Sequence, residues 1–314
     1  MRAVDYQRPF FLFTPHLETI YPATLRQVHG VAYTRERITT PDDDFLDLDW
    51  LQHGSSSLVI ISHGLEGNST RAYVKGMARA AYGQGIDVLA WNFRGCSEEM
   101  NRQLRFYHSG ASDDLEIIVQ HALAKGYKQL YLVGFSLGGN LTLKYLGERP
   151  TYPQIKRAVA FSVPLHLHSS CLKISEPSNW IYNQRFLNNL KEKVIRKATQ
   201  MPGLDVTGIG NIKTLMAFDD RYTAPLHGFA SALDYYTRCS ALNFLHTIQI
   251  PTLIVNAQND PFLSTACYPA AALKDHPVVK FESPQFGGHV GFAQFRKNGL
   301  YWSEERALSF LFPE

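Results

Sequence analysis

The chain has 314 residues, of which 45% are hydrophobic and 19% are charged, and this balance is typical of globular proteins rather than disordered ones. That length can hold one large α/β domain or two smaller domains. The formal net charge is only +3 and the basic residues are scattered along the sequence, so we expect no nucleic-acid partner.

The amino-terminal stretch MRAVDYQRPFFLFTPHLETIYP has one short aromatic cluster, which Pro9 and Pro15 interrupt. It lacks the apolar core and the small-residue cleavage site of a signal peptide. No run of about 18 apolar residues occurs in the sequence, so we expect no stable membrane insertion. The four cysteines form no C-x-x-C pair, which argues against a disulfide framework or a zinc site. We therefore expect a cytoplasmic protein with buried thiols and no metal or cofactor.

The first strong secondary-structure signal is a β-hairpin. The segment VAYTRERITTPDDDFLDLDWLQ alternates in hydropathy on both sides of a turn at residues 41–44. In its second strand, Phe45 begins one predicted face and Leu46 begins the other. This pattern predicts two antiparallel strands ahead of the main sheet.

Five continuous apolar runs follow, and such runs are typical of parallel strands that are buried on both faces. They are SLVIISHG (57–64), DVLAWNFRG (87–95), QLYLVGFS (129–136), RAVAFSVP (157–164) and PTLIVNAQND (251–260). The segments TRAYVKGMARAAYGQG and SDDLEIIVQHALAKG lie between them, have apolar residues at helical spacing and end at glycines. Strands and helices therefore alternate, which predicts a mostly parallel central sheet with helices on both faces.

Residues 165–245 interrupt this alternation because they are helical in pattern and supply no obvious central strand. We interpret them as an inserted helical cap. The predicted core then consists of residues 1–164 and 246–314.

Ser136 is the candidate nucleophile. It lies in GFSLG, residues 134–138, which fits the pattern G-x-S-x-G of a sharp strand-to-helix turn that exposes a serine oxygen above a sheet. LYLV supplies the preceding strand, and NLTLKYLGE continues with helical spacing. The glycines fall where a crowded turn needs positions without side chains.

A serine hydroxyl needs a base to remove its proton and an acid to orient that base. In enzymes whose nucleophilic serine lies in such a turn, the acid and then the histidine follow the serine along the chain. His289, in the glycine-containing loop FGGHVGF, is favoured over His276 in LKDHPVV. Asp260, at the end of the run 251–260, is favoured as the acid. It stands 29 residues before His289, a gap that fits one crossover helix plus one strand.

The rival acids are Asp219 and Asp220, which lie inside the predicted cap and are typical of turn or helix-cap positions.

Acyl transfer also requires donors for the negative oxygen of a tetrahedral intermediate. The backbone N–H of Leu137, directly after the serine, is one candidate. The N–H of Leu65, in the loop ISHGLEGNS after the run 57–64, is the other. His63 precedes Ser136 in the chain, so we expect it to brace this loop rather than to transfer protons, although a substrate contact stays open.

At this point the sequence resembles the α/β-hydrolase superfamily and, within it, the YheT-like branch of carboxylesterases. The resemblance extends over nearly the whole chain. The shared blocks are HLETIYPATLR, TTPDDDFLDLDW, SHGLEGNSTRAY, WNFRGCSEEMNR, YHSGASDDLE, GFSLGGN, FDDRYTAPLHGF, NAQNDPFL and GGHVGF. It implies Ser136 as nucleophile, Asp260 as acid and His289 as base, in agreement with the residue-based assignment.

Two positions depart from the family-like pattern, because Asp43 and Glu98 stand where glycine is expected. Glu98 could change the charge near the pocket, whereas Asp43 affects only a hairpin turn. Arg94 is expected to hold its loop through backbone carbonyls. Asp113 and Asp114 suit the start of a helix, where negative charge meets the helix dipole.

The predicted reaction is the hydrolysis of a small-molecule carboxylic ester through an acyl-enzyme. Tyr222, Thr223 and His227 are candidates for the pocket wall, although cap packing explains them equally well. The apolar candidates for an acyl pocket come from the cap: Trp180, Tyr182, Phe186 and Leu187.

The same groups could cleave thioesters, lipid esters or amides, and a silent hydrolase-like protein could bind a ligand or partner. The sequence leaves these alternatives and the oligomeric state open.

Overall fold

The computed structural model describes residues 6–296 and 298–313, and its centre is an eight-stranded sheet. The strands are β1 (Thr34–Thr39), β2 (Phe45–Leu51), β3 (Ser57–Ser62), β4 (Asp87–Asn92), β5 (Gln129–Phe135), β6 (Ile155–Phe161), β7 (Thr252–Val255) and β8 (Val279–Glu282). Their spatial order is β1-β2-β4-β3-β5-β6-β7-β8. Strands β3 to β8 run parallel, while β2 is antiparallel to both β1 and β4.

Helices cover both faces of the sheet. They are α1 (Pro15–Leu25), α2 (Ala72–Tyr82), α3 (Ser112–Ala124), α4 (Leu137–Glu148), α5 (Leu167–Ile174), α6 (Trp180–Gln200), α7 (Leu215–Phe218), α8 (Ala224–Leu226), α9 (Ala232–Cys239), α10 (Ala270–Leu273) and α11 (Trp302–Leu311). A π-helical turn, Asp219–Thr223, joins α7 to α8. Within the described part of the chain, no helix combines the length and the apolar character needed to cross a bilayer.

The predicted parallel sheet is confirmed, and the burial of its strands explains the unbroken apolar runs. Two hydrophobic clusters form the core, one on each face: the first includes Leu58 and Ile60, and the second includes Val59 and Ile61. Successive side chains of β3 therefore enter opposite layers.

The predicted hairpin is also confirmed, and both faces of its second strand are buried. Asp47 and Asp49 lie on one of these faces and pair with arginines of β1. The Arg37 Nε to Asp47 Oδ1 distance is 2.7 Å, and the Arg35 Nε to Asp49 Oδ1 distance is 2.8 Å. These pairs allow two carboxylates to be buried where the alternation alone indicated a polar face.

Residues 165–245 contain helices and no strand. Cys171, Leu187 and Tyr236 belong to a separate hydrophobic cluster, which also includes Met100 and Phe106 from the segment after β4. The region 165–245, called the cap below, is thus helical as predicted, while its assignment as an inserted cap with boundaries at 165 and 245 stays a prediction. The crossover helix expected between Asp260 and His289 is only the single turn α10, preceded by a 3₁₀ turn at Thr265–Cys267.

Candidate active site

Ser136 lies in a strained turn between β5 and α4. Its backbone angles are φ 52° and ψ −118°, a conformation that residues with a side chain rarely adopt. A Cβ atom on Gly138 would overlap the carbonyl oxygens of Ser62 and His63, and one on Gly134 would lie within 2.6 Å of Gly139 Cα. The close approach of α4 to β3 and β5 therefore requires both glycines of the motif.

The structure brings Ser136, His289 and Asp260 together in one hydrogen-bonded chain. The His289 Nε2 to Ser136 Oγ distance is 2.9 Å. On the other side of the ring, Nδ1 lies 2.8 Å from Asp260 Oδ2 and 3.1 Å from Oδ1. Asp260 is buried, its Oδ1 accepts a hydrogen bond from the N–H of Phe262, and the Phe262 ring packs 4.2 Å from the imidazole.

The rival residues lie elsewhere. His276 Nδ1 accepts hydrogen bonds from the N–H groups of Val278 and Val279, at 3.3 and 2.9 Å, at the start of β8. Asp219 accepts hydrogen bonds from the hydroxyl groups of Tyr236 and Thr223 within the cap. Burial raises the pKa of Asp219 to about 6. Neither residue contacts Ser136.

Helix α1 supports the loop that holds His289, a role that the sequence reasoning missed. The His289 N–H donates to Thr19 Oγ1 at 3.0 Å. The neighbouring Gly288 N–H donates to Asn259 Oδ1 at 3.0 Å, and the Asn259 amide donates to the buried Glu18 carboxylate. The one sequence signal for this supporting role is the block HLETIYPATLR, which contributes to the family resemblance but indicates no function for its residues.

The loop after β3 lies beside Ser136, and two tyrosines fix it. The Gly64 N–H donates to the Tyr73 hydroxyl at 2.8 Å, and the Glu66 N–H donates to the Tyr107 hydroxyl at 2.9 Å. Burial raises the pKa of Tyr73 to about 12, so its hydroxyl stays protonated. A Cβ atom on Gly64 would lie 3.3 Å from Ser136 Cβ, a tight contact, so a residue with a side chain would press against the serine.

Two backbone donors remain free between these fixed points. The N–H groups of Leu65 and Leu137 have no acceptor among the described residues, although their neighbours do. Leu137 is the first residue of α4, where N–H groups lack partners within the helix. These are the two donors that the sequence predicted for a negative oxygen.

His63 braces this loop from below. It is completely buried; Nδ1 lies 2.8 Å from the Gly64 carbonyl oxygen, and Nε2 accepts a hydrogen bond from the Phe93 N–H at 3.1 Å. Burial lowers the pKa of His63 to about 3. The predicted bracing position is therefore observed. With both ring nitrogens bonded and no exposed surface, His63 does not reach the cavities, which removes it from the candidate substrate contacts.

Two cavities meet at Ser136. The first cavity, of about 150 Å³, contains Ser136, Leu65 and His289 in its wall. The second cavity, of about 110 Å³, contains Ser136, Leu65 and Leu137 and extends into the cap. Within residues 6–296 and 298–313, no group of histidine, cysteine, aspartate or glutamate side chains is arranged to hold a metal ion.

The predicted cap contacts divide between these spaces. Tyr182 and Phe186 line the first cavity, and Thr223 lines the second. Trp180 is 62% exposed and Leu187 packs inside the cap. Contrary to the prediction, neither residue lines a cavity that contains Ser136. Tyr222 and His227 line a separate small pocket that does not include Ser136. Tyr222 is thus a cap-packing residue by position.

Arg94 corrects another expectation. Its buried guanidinium binds carboxylates rather than backbone carbonyls: Asp114 at 2.7 Å, Asp44 at 2.9 Å and Asp42 at 3.0 Å. A fully buried cation needs opposite charge, which carbonyls do not supply. Asp114 lies in the first turn of α3, as predicted.

The two departures from the family-like pattern also have structural explanations. Asp43 has φ 57°, the left-handed conformation that favours glycine, so the hairpin turn tolerates an aspartate there. Glu98 is 76% exposed and pairs with Arg35 at the sheet edge. It lines neither cavity that contains Ser136.

Comparisons with known proteins place the chain in a family. Residues 57–203 match the family model of the α/β-hydrolase fold. The chain is 34% identical over 286 residues to YheT of Escherichia coli, a candidate esterase by name, and the match covers 88% of this chain and 84% of YheT. The chain belongs to the YheT-like family of α/β-hydrolases. The resemblance read from the sequence blocks is therefore confirmed, and the protein is an esterase-like hydrolase of this superfamily.

Other members of the superfamily extend the comparison. The hydrolase is 29% identical over 277 residues to phospholipase ABHD3 of Mus musculus, and the alignment covers 84% of this chain and 67% of that relative. The esterase Pf2001 of Pyrococcus furiosus has the same fold, with a TM-score of 0.60 at 19% identity, and the alignment covers 99% of this chain and 97% of that chain.

Proposed function

We propose that this hydrolase cleaves small-molecule carboxylic esters through an acyl-enzyme, with Ser136 as the nucleophile, His289 as the base and Asp260 as the acid that orients it. The observation that carries the proposal is the continuous hydrogen-bonded chain from Ser136 Oγ through His289 to Asp260, located where two cavities meet. The names of the relatives, an esterase and a phospholipase, support an ester as the substrate.

In the first step, Ser136 Oγ bonds to the ester carbonyl carbon while its proton moves to His289 Nε2. The carbonyl oxygen becomes negative and accepts hydrogen bonds from the free N–H groups of Leu65 and Leu137. The bond to the alcohol oxygen then breaks, and that oxygen takes the proton from His289. The alcohol leaves and the acyl group stays on Ser136.

In the second step, a water molecule gives a proton to His289 and its oxygen bonds to the acyl carbon. The bond between that carbon and Ser136 Oγ then breaks, and Oγ takes the proton from His289, which regenerates Ser136 and releases the carboxylic acid. Asp260 holds the imidazole with Nε2 towards the serine and stabilises its charged form. The Thr19 contact fixes the backbone of His289. This arrangement positions the base before substrate binds.

Ser136→Ala tests the proposal. Because the alanine has no nucleophilic oxygen, hydrolysis of p-nitrophenyl butanoate should fall by ~10⁴-fold or more. Ser178→Ala is the matched control, since Ser178 is exposed and lines neither cavity. Equal rates for the Ser136→Ala variant and the parent protein would contradict the proposal. The corresponding thioester and anilide, assayed in parallel, separate esterase from thioesterase and amidase activity.

A further inference from the structure

The proposed reaction assigns the two parts of an ester to the two cavities. His289 must reach the alcohol oxygen to protonate it, and His289 lines the first cavity but not the second. Leu137 lines only the second cavity. The alcohol part of the substrate therefore lies in the first cavity, and the acyl part extends past Leu137 towards the cap. This inference rests on the proposed function.

The wall of the first cavity contains three arginines: Arg26, Arg71 and Arg185. Arg26 is buried, with 7% of its side chain exposed, and its Nη1 pairs with Glu304 at 2.6 Å. Its Nη2 has no hydrogen-bond partner among the described residues. A buried donor that lacks a partner is unusual in a folded protein, so Nη2 is available to an oxygen atom in the first cavity.

The other two arginines have no carboxylate partner within the described chain. Arg71 donates only to the backbone oxygen of Glu66, at 2.8 Å. Arg185 is exposed at the cavity mouth and makes no hydrogen bond or ion pair there. The one carboxylate in the wall, Glu66, pairs with Lys193 at 2.6 Å. The positive charges of Arg71 and Arg185 are therefore unbalanced.

The start of α2 adds to this positive field. Arg71 directly precedes the helix, and Ala72 and Tyr73 of its first turn line the first cavity. No side chain caps this end, and the first turn contains no acidic residue. Free N–H groups and the helix dipole therefore favour a negative group at this wall.

The second cavity has the opposite character. Its wall contains Asp219 and no lysine or arginine. An anionic acyl chain would meet a carboxylate there without a compensating cation, whereas an uncharged chain would contact Leu167, Ile174 and Leu215. The charge difference between the cavities thus distinguishes the two ends of the substrate.

We propose that the first cavity binds an anionic group, a phosphate or a carboxylate, on the alcohol part of the ester. Arg71 and Arg185 bind its oxygens from the mouth, and Arg26 Nη2 supplies a further donor from the wall. Planar guanidinium groups match both anions through paired hydrogen bonds. The preferred substrate is therefore an uncharged acyl chain esterified to an alcohol that carries a negative charge.

Three esters that share one acyl group test this assignment: the hexanoyl esters of glycerol, of glycerol 3-phosphate and of glyceric acid. We expect kcat/KM for at least one anionic ester to exceed that for hexanoylglycerol by about tenfold at low salt, since a charge-assisted contact has roughly that effect. The preference should decrease as salt is added. Comparison of kcat/KM for the glycerol 3-phosphate ester and the glyceric acid ester identifies which anion the first cavity prefers.

Arg185→Gln and Arg71→Gln should each reduce this preference by about threefold, because the two contacts share the tenfold effect. Arg196→Gln is the matched control, because Arg196 lies on the same helix as Arg185, is exposed and lines neither cavity, so the preference should not change. Equal turnover of the three esters by the parent protein would overturn the inference. So would a preference that both arginine variants retain. If the parent protein hydrolysed none of the three esters, that result would instead contradict the proposed function.

Discussion

Ser136, Asp260 and His289 could be selected from the sequence as a candidate triad because their signals are local. A glycine pattern, a strand end and a glycine-containing loop each locate one residue, and chain order relates the three. Their supports could not be identified in this way. Thr19 contacts His289 across 270 residues of sequence, and Tyr107 contacts Glu66 across 41. An isolated hydroxyl in a sequence carries no signal of such a distant partner.

The same limit applies to charge at single residues. The sequence predicts carbonyl partners for Arg94, whereas its partners are Asp42, Asp44 and Asp114. These carboxylates could not be predicted, because they come close to Arg94 only when the hairpin turn, the loop after β4 and the start of α3 meet. Likewise, the unbalanced charges of Arg71 and Arg185 become visible only when a cavity brings them together.

At the residue scale, His63 predicts a pH dependence of stability. Burial lowers its pKa in the folded state from 6.5 to about 3, so the folded protein keeps this ring neutral. As the pH falls from 6.5 towards 3, the unfolded chain binds a proton that the folded protein does not bind. The stability associated with the neutral ring is therefore complete above pH 6.5 and is lost below it.

His63→Asn tests this linkage by urea unfolding at pH 5, 7 and 8. Between pH 7 and pH 5 the free energy of unfolding should decrease in the parent by about 2 kcal/mol more than in the variant. Between pH 7 and pH 8 the two proteins should change equally. Equal losses at pH 5 would show that His63 is not kept neutral by burial.

At the element scale, the runs of apolar residues predicted the strands because both faces of the parallel sheet are buried. The lengths of the connecting elements were less predictable. A gap of 29 residues between Asp260 and His289 suggested a full crossover helix, whereas α10 is a single turn. The remaining chain follows irregular backbone held by side chains such as Tyr268, whose hydroxyl donates to the Ala257 carbonyl oxygen at 2.6 Å.

The packing of α4 against β3 gives the prediction at this scale. Gly138→Ala should destabilise the protein by about 3 kcal/mol, because the added Cβ overlaps two carbonyl oxygens of the strand end and the backbone must shift. Ester turnover should fall as well, since the same shift moves the Leu137 N–H.

Thermal unfolding and turnover of the two glycine variants are the measurements. Gly210→Ala is the control: no atom lies within 4 Å of its added Cβ, and its φ is not positive, so its stability should change little or increase slightly. A Gly138→Ala protein as stable and active as the control would refute the close-packing argument.

At the scale of the whole molecule, a buried ion pair joins the cap to the core. Lys193 of α6 lies 2.6 Å from Glu66 Oε1, and the two side chains are 11% and 8% exposed. Glu66 directly follows Leu65, so the cap contacts the loop that carries a proposed oxyanion donor. A cap over 165–245 could be predicted from the sequence, whereas this attachment could not, because nothing in the sequence relates Lys193 to a glutamate 127 residues earlier.

Lys193→Met should lower the free energy of unfolding by about 3 kcal/mol, because it leaves the Glu66 carboxylate buried without a positive charge, with only the Tyr107 hydroxyl donating to it. Adding Glu66→Gln should restore part of that loss, and a double-mutant cycle by urea unfolding measures the coupling. Lys173→Met is the control, since its pair with Glu176 is exposed and should contribute less than about 1 kcal/mol. Additive effects of the Lys193 and Glu66 changes would contradict the coupling.

Covalent labelling with a fluorophosphonate tests the central claim, that Ser136 is the activated nucleophile, most directly. Only a serine whose oxygen is activated by a neighbouring base reacts readily with this reagent. After trypsin digestion, mass spectrometry should find the label on the peptide of residues 129–144, at Ser136, and Ser136→Ala should abolish it. A label on a different peptide, or an unlabelled but folded parent protein, would contradict the account.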